Sequence, residues 1–100
     1  MREYELFLVI DADAADEAVA AIVDKVTNLA IAGHAGTGGE MIKVEARGKR
    51  RLAFPIKRKV ESQDIVLTFR TPQRALPEIE RVLTLDEQVL RYLVVRLDEE

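Results

Sequence analysis

One hundred residues, 48% apolar and 33% charged, make a chain of one domain with ordinary folded-protein composition. Cysteine is absent, which excludes disulfides and thiolate metal sites, and no apolar run approaches the roughly 20 residues that span a bilayer. The net charge of −3 conceals a polarised chain: residues 47–59 hold seven basic side chains and no acid, and the other 87 residues carry a net of −10.

From Tyr4 to Ile10 apolar residues alternate, with Tyr4, Leu6, Leu8 and Ile10 on one face and Glu5, Phe7 and Val9 on the other. Period two predicts a strand, and the second apolar face predicts a central one. The alternation starts at once, without a secretory signal pattern, so the expected address is the cytoplasm. Asp13 is a candidate cap for a helix over 14–32, with Asp16 and Glu17 in the first turn and Gly33 as the stop. Residues 33–39 read as a flexible glycine loop. Ile42, Val44 and Ala46 begin a second strand that can continue to Ala53, with Pro55 at an edge or a strand end. The polar stretch 57–63 reads as a turn, and 65–69 as a third strand stopped at Thr71-Pro72. A second helix is expected over 74–84, with Pro77 confined to its first turn. Residues 90–97 complete the strands, and 98–100 form a short acidic tail. The order β-α-β-β-α-β predicts one ferredoxin-like α+β domain over 1–97. Its four-stranded antiparallel sheet carries both helices on one face, leaving the other face for a partner or RNA.

Catalytic chemistry needs a nucleophile, a base and an orienting group. The single His34 sits in the glycine loop, and Ser62, the single serine, in a polar turn. Gly36-Thr37-Gly38-Gly39 follows a helix and leads into a strand, the reverse of a phosphate-binding P-loop. Asp11, Asp13, Asp16 and Glu17 lack the glycine and distal glutamate of a calcium loop. No catalytic residue, metal, cofactor or small-molecule substrate is therefore expected. The basic segment is the candidate surface. Continued alternation would send Arg47, Lys49 and Arg51 one way and Arg50 and Leu52 the other, with Phe54 as a stacking face. Such a ribbon suits a phosphate backbone; equally, its charges can protect an edge strand from aggregation. Charge alone leaves both open.

The opening Met1-Arg2-Glu3-Tyr4-Glu5 resembles that of the bacterial small-subunit ribosomal protein S-six family. The run Gly48-Lys49-Arg50-Arg51-Leu52-Ala53-Phe54-Pro55-Ile56 is similar to that family's Gly-x-Arg-x-Leu-Ala-Tyr-Pro-Ile signature. Val89-Leu90-Arg91-Tyr92-Leu93-Val94-Val95-Arg96 is similar to its final strand. The resemblance implies a non-enzymatic ribosomal component in the cytoplasm. It implies binding to small-subunit ribosomal RNA in the central domain, as a pair with ribosomal protein S-eighteen, at the platform. Carried over, the RNA- or partner-facing residues are Arg2, Tyr4, Lys49, Arg50, Arg51, Phe54 and Arg91, joined by Arg47 from the basic block. Phe54 replaces the family's tyrosine, Ser62-Gln63 stand where a Gly-Tyr pair is common, Pro77 is unusual, and the acidic tail is short. Outside the family, a ligand-sensing domain of the same architecture is the alternative. An acylphosphatase-like enzyme would need a phosphate-cradling loop where Asp11-Ala12-Asp13 repels phosphate.

Overall fold

The computed structural model describes residues 1–97, so the acidic tail lies outside the described residues. Alternation makes the first strand, β1 (Arg2–Asp11), whose Tyr4, Leu6, Leu8 and Ile10 are all buried. The helix α1 (Asp16–Ala32) presses Ile22, Val26 and Ala30 onto them. Its start differs from expectation. Asp13 does not cap it: the Asp13 N–H donates to Asp11 Oδ1 (2.9 Å), an Asx turn that leaves extended Ala15 as the boundary residue. Asp16 and Glu17 do occupy the first turn, and Gly33, at φ 65°, ends the helix by donating its N–H to Leu29 O. Residues 33–39 are not a loose loop, because His34 and Thr37 exchange two backbone hydrogen bonds of 2.9 Å.

β2 (Glu40–Ile56) and β3 (Lys59–Thr71) form one long hairpin. Its turn is only Lys57 and Arg58, both at positive φ, as a two-residue hairpin connection requires. The expected turn over 57–63 is thus mostly strand. Its polarity reflects a solvated ladder, in which Arg50 pairs with Ser62 and Arg51 with Glu61, and Ser62 lies within β3. Neither turn residue is the Asn or Gly that would have marked the corner. A 3₁₀ turn (Gln73–Ala75) leads into α2 (Leu76–Leu85), with Pro77 in its first turn, and β4 (Val89–Arg96) follows.

The antiparallel sheet has the order β2-β3-β1-β4, which makes β1 central and puts β2 and its Pro55 on an edge. The core lies between one sheet face and both helices: Leu6, Leu8, Leu67 and Phe69 meet Val26, Ile79 and Leu83. Buried Thr71 donates its hydroxyl to Ala30 O (2.9 Å), satisfying a carbonyl near the end of α1. Phe7, Val9, Val66, Leu93 and Val95 occupy the other face, which carries no helix; Leu93 remains 59% exposed.

The β1–α1 connection is tied to β3. Gln63 Nε2 donates to Asp11 O (2.9 Å) and Ala14 O (3.2 Å), and Lys59 Nζ lies 3.2 Å from Asp11 Oδ2. The Asp13 N–H holds the Asp11 carboxyl below its ordinary value; burial opposes this, and Lys59 adds to the depression. A carboxylate depressed in the folded state adds stability that is complete above its unfolded pKa and lost as pH falls through the folded one. Asp11→Asn should therefore cost about 1 kcal/mol at pH 7. Denaturant titrations of the two proteins should converge as pH drops below the ordinary value of 3.8. A gap that persists undiminished at pH ~2 would refute the assignment.

Candidate nucleic-acid interface

A β-bulge in β2 fixes the direction of the basic side chains from Arg47 to Arg51. Ala46 pairs with Ile65, but the next β3 residue, Asp64, pairs with Gly48, leaving Arg47 as the extra residue. Gly48 adopts φ 85°, which a glycine takes without a Cβ penalty. The extra residue shifts the alternation by one. Arg47 and Arg50 consequently border the same depression on the open face, with Phe7, Val9, Asp64 and Val66. Lys49 and Arg51, paired with Gln63 and Glu61, project from the opposite side. The simple alternation that grouped Arg47 with Lys49 and Arg51 is thus corrected; Arg50 and Leu52 do share a side.

Beyond the bulge the hairpin bends across the open face. A groove of about 390 Å³ opens there, between Phe7 and Val9 of β1, Arg50, Leu52 and Phe54 of β2, and Arg91 of β4. Leu52 is buried in it, while Phe54 is 71% exposed. Lys57 Nζ donates to Val89 O (3.1 Å), fastening the hairpin tip to the start of β4. The groove thus has an apolar lining with arginines from both edge strands.

The cations differ in what holds them. Arg50 Nε lies 2.8 Å from Asp64 Oδ2, whose other oxygen, Oδ1, accepts the Ser62 hydroxyl at 2.8 Å. Arg47 and Lys43 both lie 3.7 Å from Glu45. Lys49, Arg51, Arg58 and Arg91 make no ion pair among the described residues. Structurally, then, Arg50, Phe54 and Arg91 line one groove and Arg47 shares an adjoining depression with Arg50, with Lys49 and Arg51 on the outer side of the same arm.

Two predicted site residues stand apart. Tyr4 is 3% exposed, and its ring sits 5.9 Å from that of Phe69, so it is a core side chain on the helix-covered face, away from the groove. Part-buried Arg2 pairs with Thr71 at the start of β1, the opposite end of the strand from the groove. Sequence reasoning overlooked Ser62, Asp64, Phe7 and Leu52 as parts of the site. Glycine inside a basic strand was the available signal, since it commonly marks a bulge. Among the described residues no His/Cys/Asp/Glu cluster could hold a metal, and no helix is long and apolar enough to cross a membrane.

Residues 3–96 match the family described as Ribosomal protein S6. The chain is 36% identical over 100 residues to the small ribosomal subunit protein bS6 of Heliobacterium modesticaldum, covering all of both chains. It is 34% identical over 99 residues to bS6 of Syntrophobacter fumaroxidans, covering 99% of this chain and 65% of that relative's length. The crystal structure of 30S ribosomal protein S6 from Thermotoga maritima superposes with a TM-score of 0.82 at 27% identity, over 96% of this chain and 87% of that one.

A Cβ at Gly48 would meet nothing within 4 Å, so the barrier to substitution is the backbone conformation alone. Gly48→Ala should cost about 1–2 kcal/mol in denaturant unfolding. Any relaxation of the bulge should move Arg47 away from Phe7, which nuclear Overhauser contacts would report. An alanine variant with parental stability and parental contacts would show that the bulge does not depend on glycine.

Proposed function

From the chain's membership of the Ribosomal protein S6 family, we propose that it binds small-subunit ribosomal RNA of the central domain together with ribosomal protein S-eighteen. The family makes it a structural component of the small ribosomal subunit, in the cytoplasm, and not an enzyme. One observation carries the finer reading: a single hairpin arm joins an apolar groove to a set of cations, of which Arg47 and Arg50 are ion-paired and Lys49 and Arg51 make no ion pair among the described residues. Apolar walls and an exposed Phe54 suit a protein segment or a stacked base, whereas forked guanidinium groups suit phosphates. Arg47, Lys49, Arg50 and Arg51 are assigned to the RNA backbone. Phe54, Arg91 and the groove are assigned to the contact shared with the partner protein. Neither Tyr4 nor Arg2 is part of this surface.

A ligand-sensing domain would use the same groove as a pocket. Its arginine rim and the large exposure of Phe54 and Leu93 fit a macromolecular surface better than an enclosed small molecule.

Reversing two charges on the arm tests the assignment. Arg50→Glu with Arg51→Glu should weaken binding of the protein pair to central-domain RNA more than tenfold at ~0.15 M salt and flatten the log–log salt dependence by about two units. Unchanged affinity and slope, in a variant that melts like the parent, would overturn it.

A further inference from the structure

On an RNA-binding arm a carboxylate looks out of place, because it repels phosphate. Asp64 lies on the arginine-lined open face, with its side chain largely shielded from water (22% exposed). It is also held. Ser62, itself fully buried, stands two residues earlier on the same side of β3 and donates its hydroxyl to Asp64 Oδ1 (2.8 Å). The other oxygen, Oδ2, lies 2.8 Å from Arg50 Nε in an ion pair. A buried hydroxyl thus fixes a carboxylate, and the carboxylate fixes a half-exposed guanidinium through Nε. The terminal Nη groups of that guanidinium are the fork suited to a bidentate phosphate contact.

We infer that Ser62 and Asp64 are positioning residues for Arg50, so that an acid on this face strengthens RNA binding instead of opposing it. The inference rests on the assignment of Arg50 to the RNA backbone in the proposed function. Magnitudes decide its sign. An arginine that must be immobilised on binding loses about two- to tenfold in affinity, whereas one already held does not. Repulsion from one screened, ion-paired carboxylate is worth about twofold or less. Ordering therefore outweighs repulsion. Glu45 shows the contrast on the same face. Its carboxylate is 43% exposed, no hydroxyl among the described residues donates to it, and it lies 3.7 Å from both Lys43 and Arg47. That acid is a loosely held counter-charge, and its loss should not weaken binding.

The experiment compares Ser62→Ala, Asp64→Asn, Glu45→Gln and Arg50→Ala, each bound with the partner protein to central-domain RNA across a salt series. Asp64→Asn should bind about three- to tenfold more weakly although the protein has lost a negative charge. Ser62→Ala leaves the charge unaltered and should lose about two- to threefold. Glu45→Gln should bind as tightly as the parent or more tightly. In the free protein, the Arg50 Nε–H resonance should be ordered in the parent and averaged in Asp64→Asn and Ser62→Ala, a signature that general loss of stability does not produce. Adding Asp64→Asn to Arg50→Ala should cause no further loss. If Arg50→Ala weakens binding but Asp64→Asn matches or exceeds the parent, positioning is overturned and the proposed function stands. If Arg50→Ala binds like the parent, both the assignment of Arg50 and the inference built on it fall.

Discussion

One extra residue in β2 decides which arginines share the open face. A strand faces its side chains alternately to the two sides, so every position is committed once the register is set. Without the bulge at Arg47, Arg47 would face away from Arg50, and the arginine-lined depression would be divided between two sides. Gly48 makes the insertion inexpensive because positive φ has no steric cost there. The bend that follows brings Leu52 and Phe54 back over the sheet, where Lys57 fastens the tip to β4. The bulge therefore sets the direction of Arg47 and Arg50, and a second register shift, between Arg51 and Ile56, accompanies the bend that forms the groove.

The sheet supplies the other half. β1 is central and apolar on both faces, but two helices cover only one of them. Phe7, Val9 and Leu93 are left on the far side, where burial would be favourable at about 25 cal/mol per Å². The hairpin arm covers part of this area and lines the remainder with arginines. The surface therefore retains an unsatisfied apolar component beside its charge, which suits the proposed contact with protein and nucleic acid together.

Much of this was legible in the chain. Alternation from Tyr4 to Ile10, helical spacing around Ile22 and Val26, Gly33 and Pro77 placed β1 and both helices, all six main elements were read in the order observed, and the signature around Arg50 located the arm. The failures have distinct physical origins. The corner at Lys57-Arg58 carries no turn residue, so the long polar hairpin looked like a loop; strand pairing, not local propensity, holds those residues extended. Asp13 looked like a cap, but Asp11, two residues earlier, captured its N–H. Tyr4 looked like a contact because it sits in a matching opening, whereas its parity with Leu6 and Leu8 already committed it to the core. Ser62 and Asp64 were invisible as a pair with Arg50, because register alone brings residues twelve and fourteen positions apart onto one face.

The charge tally also changes meaning once the chain is folded. Seven cations without an acid in 47–59 describe a sequence, not a surface. Folding returns three acids to that arm, pairing Arg47 with Glu45, Arg50 with Asp64 and Lys59 with Asp11, and it engages Lys57 with a backbone carbonyl. Lys49, Arg51 and Arg58 remain without a counter-charge among the described residues, and β4 contributes Arg91. If these charges served only to keep an edge strand from aggregating, engaging them internally would defeat the purpose, since solvated charge is what repels another edge. Binding has the opposite requirement. A cation held at a known place loses less freedom when a phosphate arrives, and a held cation needs an acid behind it. The mixture of held and unpaired cations on one arm is therefore better suited to recognition than to protection. In that mixture the local acids do not dilute a basic patch; they give it a shape.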